Sequence, residues 1–236
     1  MSARLELKYL VDLRTRLWLQ PLLSARLAPG EFVDAGGGYP VLSLYYDGEN
    51  LPLYLEKLAG VERRMKVRLR TYAWSFGPSQ AWFLEGKHKD GNLIAKRRLE
   101  VPRERIDPLR PATWDALGPE GASFLHARES LRLVPTVQVW YQREVLVSAA
   151  GDLRVTWDSP IRALFPGEPM TNARLYDETR RVVPDQWAVL EIKARQTLPA
   201  WLAALVREAG LVPETISKYV RSLDTLGLSR KVLSTC

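Results

Sequence analysis

The stretch Arg63-Arg-Met-Lys-Val-Arg-Leu-Arg-Thr-Tyr72, RRMKVRLRTY, alternates cationic and uncharged side chains. Lys66, Arg68 and Arg70 share one parity, and uncharged residues occupy the positions between them. Alternate side chains of a β-strand point to opposite faces, so the pattern predicts a strand with one cationic face. Like charges that face each other on neighbouring strands are destabilising, so such a face needs carboxylates or a bound anion.

The composition indicates a basic protein with an anionic partner. The 236 residues include 34 Lys plus Arg against 27 Asp plus Glu, a formal net charge of +7, which does not identify that partner. The one cysteine, Cys236, excludes an intramolecular disulfide and a Cys-based zinc site. Because no Gly/Ser linker divides the chain, we expect a single domain over residues 1–236.

The N-terminus has no apolar signal core, and no segment approaches the roughly 18 consecutive apolar residues of a membrane span. We therefore expect a cytoplasmic protein that does not itself insert into a membrane.

Hydrophobic period predicts eight strands, linked by hairpins or short helices. The predicted strands are 4–11, 39–48, 63–72, 79–89, 92–101, 134–148, 152–159 and 187–195. Helices are predicted at 12–27, 50–59, 111–133, 199–209 and 216–226, with Asp12 as the N-cap of the first. This order favours an α+β fold, an antiparallel eight-stranded β-barrel with helices packed on the outside.

Cations of the same parity recur on nearly every predicted strand, with a few carboxylates among them. These residues are Arg4, Glu6 and Lys8; Lys66, Arg68 and Arg70; Glu85, Lys87 and Lys89; Lys96, Arg98 and Glu100; Tyr141 and Arg143; Arg154, Thr156 and Asp158; and Glu191, Lys193 and Arg195. A solvated sheet face explains any one strand. In a closed barrel these side chains would line the lumen, where Arg and Lys suit phosphate and a carboxylate needs a cationic partner or a hard metal ion.

Nine segments spread over about residues 4–222 resemble one family, the VTC domain of the triphosphate tunnel metalloenzymes, the polyphosphate polymerase module of the vacuolar transporter chaperone complex. The segments are ELKYLV at 6–11, LSLYYD at 42–47, YLEKLAGVERRMKVRLRTY at 54–72, FLEGKHK at 83–89, AKRR at 95–98, VWYQRE at 139–144, RVTWD at 154–158, VLEIK at 189–193 and SKYVRS at 217–222. KVRLRTY together with SKY is the most specific part. The sister CYTH group begins with Glu-x-Glu-x-Lys, whereas Arg4 stands at the first of those positions here, which favours the VTC branch.

The resemblance implies a metal-dependent polyphosphate polymerase that transfers the γ-phosphoryl of ATP to a polyphosphate chain inside a basic tunnel. Catalytic roles are expected for Lys8, Arg68, Arg70, Arg143, Arg154 and Lys218. Substrate binding is expected for Lys66, Lys87, Lys89, Lys96, Arg98, Tyr141 and Lys193, of which Lys66, Lys89, Arg98 and Lys193 are included for their parity alone. Glu191 matches the carboxylate associated with Mn²⁺ or Mg²⁺. Glu6 and Glu85 fit a metal role and an Arg or Lys pairing role equally well.

Two other functions use the same residues. An inorganic triphosphatase would use water as the acceptor, and a non-catalytic module would only bind polyphosphate or inositol phosphates. A nucleic-acid binder needs its basic patch on the outside, so we expect nucleoside triphosphate and polyphosphate as partners and no nucleic acid. Without membrane segments, either the product stays in the cytoplasm or a separate membrane partner exists.

Overall fold

A computed structural model describes residues 5–30, 38–78, 80–91 and 93–233. The strands are β1 Leu5–Asp12, β2 Ala28–Pro29, β3 Gly38–Asp47, β4 Arg64–Thr71, β5 Trp82–Asp90, β6 Leu93–Glu100, β7 Val134–Val147, β8 Leu153–Leu164 and β9 Trp187–Ala194. The helices are α1 Leu13–Ser24, α2 Pro52–Leu58, α3 Ala122–Leu131, α4 Asn172–Tyr176, α5 Ala200–Glu208, α6 Lys218–Thr225 and α7 Arg230–Leu233.

The strands form one antiparallel sheet, in the order β1-β9-β8-β7-β3-β4-β5-β6, with the short β2 paired to β7. Across the described ranges this order begins at β1 and ends at β6, so hydrogen bonds do not close the sheet. The predicted antiparallel α+β sheet is therefore confirmed, and the predicted barrel is not. No helix among the residues described is long and apolar enough to span a membrane.

The chain divides into two compact units, each built from three separate segments. Unit 1 comprises residues 1–40, 141–161 and 183–217, and unit 2 comprises residues 41–140, 162–182 and 218–236. Strands β3, β7 and β8 each contribute residues to both units. A single domain over 1–236 stays a prediction.

Unit 1 buries one face of β1, β8 and β9 beneath helices α1 and α5. Asp12 caps α1 as predicted, because its carboxylate accepts the Thr15 backbone N–H at 2.8 Å. The buried core of the unit includes Tyr9, Leu19, Leu23, Trp157, Ile192 and Leu202. Because strand side chains alternate, packing this face turns the charged residues of β1 and β9 to the other face.

Unit 2 likewise buries one face of β4 and β5 in a hydrophobic core. Val67 and Leu69 are almost fully buried, in a core with Leu84, Trp114 and Phe124. The β5–β6 hairpin turns at the predicted Asp90-Gly91, where Gly91 has a φ of +55° that favours glycine. The apolar face of β4 is thus covered, and its cationic face is left for a site.

The elements differ from the sequence prediction at residues 111–133 and at the end of β8, and the short elements β2, α4 and α7 were not predicted. The predicted helix 111–133 consists of 3₁₀ turns at Pro111–Leu117 and Pro119–Gly121 followed by α3, because Gly118 at φ +64° and Pro119 interrupt the helix. Strand β8 continues past Ser159 to Leu164. Arg4 and Cys236, which the sequence analysis used, lie outside the described residues.

Candidate functional site

Seven of the predicted cations share one face of β4, β5 and β6 in unit 2, where Glu85 and Glu100 also lie. They are Lys66, Arg68, Arg70, Lys87, Lys89, Lys96 and Arg98. Lys66 lies directly opposite Lys87, which lies directly opposite Lys96. We call these three residues the lysine row. Directly opposed like charges destabilise a sheet by roughly 0.2–1 kcal/mol per pair, so the lysine row is a site where an anion would stabilise the protein.

The neighbouring cross-strand row, Arg68, Glu85 and Arg98, places one carboxylate between two guanidinium groups. Arg68 Nε and Nη2 lie 2.8 and 2.7 Å from Glu85 Oε2. Arg70 Nη1 and Arg98 Nη1 each lie 3.7 Å from the same carboxylate. Burial raises the pKa of Glu85, but the charges of Arg68, Arg70 and Arg98 outweigh burial, so the pKa is lowered. Three arginines therefore share the Glu85 carboxylate.

Arg70 and Arg98 have fixed orientations on this face. Arg70 is 7% exposed, and its Nε donates to Ser43 Oγ at 3.1 Å. The Arg98 guanidinium lies 3.8 Å from the centroid of the Phe83 ring and donates to Tyr72 Oη at 3.2 Å. Guanidinium groups held in this way lose little further entropy when they bind a phosphate.

The charged face of unit 1 has a different pattern, in which cations and carboxylates alternate. Lys8 on β1 lies opposite Glu191 on β9, and Glu6 lies opposite Lys193. Lys8 Nζ is 3.0 Å from Glu6 Oε1 and 4.0 Å from Glu191 Oε2. Lys193 Nζ is 2.5 Å from Glu191 Oε1. In register with Lys193, Arg154 on β8 donates to Tyr39 Oη at 3.1 Å.

Arg143 on β7 forms a buried ion pair with Asp158 on β8. Arg143 Nε and Nη2 donate to the two oxygens of Asp158 at 2.6 and 2.8 Å. Burial would lower the pKa of Arg143, but the negative charge of Asp158 raises it well above its usual value. The Arg143 guanidinium also lies 5.2 Å from the centroid of the Tyr141 ring. The Nε/Nη2 edge of this guanidinium is therefore already bound to Asp158 before any phosphate binds.

The predicted metal site needs oxygen donors that lie close together. No group of three or more His, Cys, Asp or Glu able to hold a metal occurs in the described ranges. Glu6 and Glu191 both lie within 4.0 Å of Lys8 Nζ. Thr156 lies opposite Glu191, and its buried Oγ1 has no hydrogen-bond partner among the residues described. Two carboxylates with a hydroxyl fit a hard cation that also binds substrate phosphate oxygens.

Glu85 pairs with arginines in this structure. Arg68 already binds its carboxylate directly, and two further arginines lie within 4 Å of it. These contacts agree with the Arg-pairing role, one of the two roles that the sequence analysis left open for Glu85.

The structure thus distributes the predicted residues over two groups. Unit 1 carries Glu6, Lys8, Tyr141, Arg143, Arg154, Glu191 and Lys193, and unit 2 carries Lys66, Arg68, Arg70, Glu85, Lys87, Lys89, Lys96, Arg98 and Lys218. Lys218 begins helix α6 rather than lying on a strand.

Sequence reasoning missed three polar residues of β3 in unit 2. Ser43 and Tyr45 hold Arg70 and Arg68, and Asp47 accepts the hydroxyl of Tyr219. The signal was present in LSLYYD, because its polar residues recur at every second position. It was obscured because Tyr45 and Tyr46, at opposite parities, are the same residue type.

These features define a class of protein: an antiparallel sheet whose strands combine a buried apolar face with a charged face that carries rows of cations. The fold resembles that of a proposed adenylate cyclase from Bacillus halodurans, with 9% identity over 92% of this chain and 94% of that chain and a TM-score of 0.53. PH1819 from Pyrococcus horikoshii aligns over 94% of this chain and 99% of its own, with 13% identity and a TM-score of 0.47.

The family model described as "VTC domain" matches residues 3–226, so the chain belongs to the VTC domain family. No curated protein matches the sequence.

Proposed function

We propose that the chain is a metal-dependent polyphosphate polymerase-like enzyme, which transfers the γ-phosphoryl group of ATP to a growing polyphosphate chain. The basic tunnel that the sequence predicts is part of this proposal. Membership of the VTC domain family supports it at the level of the fold and the phosphate-related class.

The observation that carries the proposal is the lysine row of Lys66, Lys87 and Lys96 beside the arginines that share Glu85. Repulsion between these opposed cations works against folding. A chain of phosphates relieves it at several positions at once, whereas a single small anion relieves it at one. Residues within one row are spaced as neighbouring strands are, about 4.8 Å apart.

The arginines supply the geometry that phosphoryl transfer needs. Charge in the transition state is spread over the equatorial oxygens of the transferred group, so catalysis depends on positioning and electrostatic stabilisation. Arg68 and Arg70 are oriented by contacts to Glu85, Tyr45 and Ser43. The two guanidinium groups therefore need little reorganisation during the reaction.

In the reaction, a terminal oxygen of the polyphosphate chain attacks the γ-phosphorus of ATP. A new phosphorus–oxygen bond forms, the bond from the γ-phosphorus to the bridging oxygen breaks, and ADP leaves. No nucleophile from the protein is required. Lys8, Arg143 and Arg154 are further cations for which the family resemblance implies catalytic roles.

Glu191 and Glu6 would hold Mn²⁺ or Mg²⁺, which neutralises phosphate charge and lowers the barrier to attack by an anionic oxygen. Lys8 and Lys193 occupy the same carboxylates in this structure. We infer that they hold the two carboxylates in place.

The test is to incubate the purified protein with ATP and Mn²⁺ and to measure acid-labile polyphosphate. Wild type should make polymer, and Arg70→Ala and Glu191→Ala should abolish it. Arg97→Ala is the matched control, because Arg97 lies on β6 at the opposite parity and its Nη1 lies 3.4 Å from Ser123 Oγ. It should retain the wild-type rate.

Other outcomes would select the alternatives. Phosphate release from tripolyphosphate without chain growth would favour a triphosphatase. Tight, metal-independent binding without turnover would favour a non-catalytic module. If wild type makes no polymer under varied metal and primer conditions, polymerase activity is wrong.

A further inference from the structure

Arg68, at the centre of the cationic face, is held by two groups of different charge. Glu85 accepts from Nε and Nη2, and the hydroxyl of Tyr45 accepts from Nη1 at 3.0 Å. Tyr45 lies directly opposite Arg68 in the β3–β4 pair, and the guanidinium carbon lies 5.7 Å from the centroid of its ring. A carboxylate neutralises a guanidinium as it orients it, whereas a neutral hydroxyl orients it and leaves its charge for a ligand.

Tyr45 is itself fixed by a second tyrosine. It is 7% exposed, and its ring stacks on the ring of Tyr219 with centroids 5.1 Å apart and planes inclined by 29°. Offset stacking of this kind restrains the ring as well as burying it. Tyr219 lies in the first turn of α6, next to Lys218.

Tyr219 is in turn held by Asp47, whose carboxylate is fully buried. The backbone N–H groups of Gly48, Leu53 and Tyr54 donate to this carboxylate at 2.8, 2.9 and 3.0 Å, and the Tyr219 hydroxyl donates to it as well. Burial and the negative charge of Asp47 raise the pKa of Tyr219, so its hydroxyl remains a donor. Four donors to one buried carboxylate leave it little freedom to move.

We propose that Tyr45 is a positioning residue of the phosphate site and acts through Arg68. Tyr219 and Asp47 hold Tyr45 in place, so these residues connect helix α6 to the arginine of β4. The inference rests on the proposed function, because it takes the cationic face as the place where phosphate binds.

The electrostatics of Tyr45 agree with this role. Burial would raise the pKa of Tyr45, but the charges of Arg68, Arg70 and Lys66 outweigh burial and lower the pKa to about 8. These three cations face it from β4, and Tyr219, backed by Asp47, faces it from α6. At pH 7 the hydroxyl is therefore mostly neutral.

The experiment measures binding of inorganic tripolyphosphate by calorimetry at pH 7 and low ionic strength, where weak phosphate binding stays measurable. Tyr45→Phe removes the hydroxyl and keeps the ring. It should weaken binding about tenfold, the usual effect of losing a hydrogen bond to a charged group. Tyr46→Phe is the matched control, because the neighbouring Tyr46 faces the core and donates to the Pro108 carbonyl. It should bind as wild type does.

A double-mutant cycle separates positioning from a general structural effect. In the Arg68→Ala background, Tyr45→Phe should change the dissociation constant by less than about twofold. Wild-type affinity in Tyr45→Phe, or the same penalty with and without Arg68, would overturn the inference while leaving the proposed function standing. A wild type that fails to bind tripolyphosphate would overturn both.

If circular dichroism shows that Tyr45→Phe is unfolded, Tyr219→Phe replaces it in the same cycle. This variant loses the bond to Asp47 and retains the ring that stacks on Tyr45. Its penalty should likewise disappear when Arg68 is alanine, and an unchanged penalty would refute the connection.

Discussion

Replacing Asp158 by alanine should destabilise the protein strongly, because it leaves the Arg143 guanidinium buried without its counter-charge. The Asp158 side chain is fully buried and the Arg143 side chain is 11% exposed. The change removes two hydrogen bonds, at 2.6 and 2.8 Å. Breaking a buried pair by removing one partner costs about 3–5 kcal/mol, and we expect a loss of this size in the free energy of unfolding.

The measurement is urea unfolding followed by circular dichroism, with two reference variants. Arg63→Ala removes an ion pair to Asp90 in which the Arg63 side chain is 84% exposed, and it should leave the unfolding curve nearly unchanged. The double variant Arg143→Met, Asp158→Leu should recover most of the loss, because no unpaired charge remains buried. A loss below about 1 kcal/mol in Asp158→Ala would show that water reaches Arg143 and would refute the reasoning.

Three further outcomes follow from the structure of unit 2. Leu69→Ala, at a fully buried position of β4, should lower the free energy of unfolding by about 2–5 kcal/mol in urea titrations; a smaller loss would mean that the core relaxes around the cavity. Glu85→Gln should lower the thermal unfolding midpoint at low salt, because three arginines lose their shared counter-charge. Adding tripolyphosphate should raise the midpoint of this variant more than it raises the midpoint of wild type. Above its pKa of about 8, Tyr45 ionises and partly neutralises the positive charge of the site. Between pH 7 and pH 9 the affinity of wild type for tripolyphosphate should therefore fall more than the affinity of Tyr45→Phe does, by up to about tenfold. Parallel pH profiles for the two proteins would contradict this.

Local patterns in the sequence predicted the strands well. The alternation around Lys66 and Arg68 predicted a strand at 63–72, and β4 occupies Arg64–Thr71. The Asp90-Gly91 pair predicted a hairpin, and β5 and β6 meet there. Both signals depend on neighbouring residues only, which is why they were visible without tertiary information.

Cross-strand partners could not be predicted, because they depend on strand order and register. The position of Glu85 opposite Arg68 results from pairing between β4 and β5. The order β1-β9-β8-β7-β3 joins strands that are distant in the chain, and it decides that Glu191 contacts Lys8. The continuation of β8 beyond Ser159 was missed because a proline, Pro160, usually ends a strand.

The contacts of Tyr45, Tyr219 and Asp47 were the hardest to foresee. Tyr219 is separated from Asp47 by most of the chain, and its hydroxyl meets the carboxylate only after α6 packs on β3. Tyrosine on a buried strand is usually a core residue, so its residue type gave no indication of a contact to Arg68.

A crystal structure of the protein with tripolyphosphate and Mn²⁺ tests the central claim most directly. We predict phosphate oxygens about 2.7–3.2 Å from the guanidinium nitrogens of Arg68 and Arg70, with further phosphates along the lysine row and the metal ion at Glu191. Tripolyphosphate bound elsewhere, with no phosphate oxygen in contact with the guanidinium group of Arg68 or Arg70, would contradict the account.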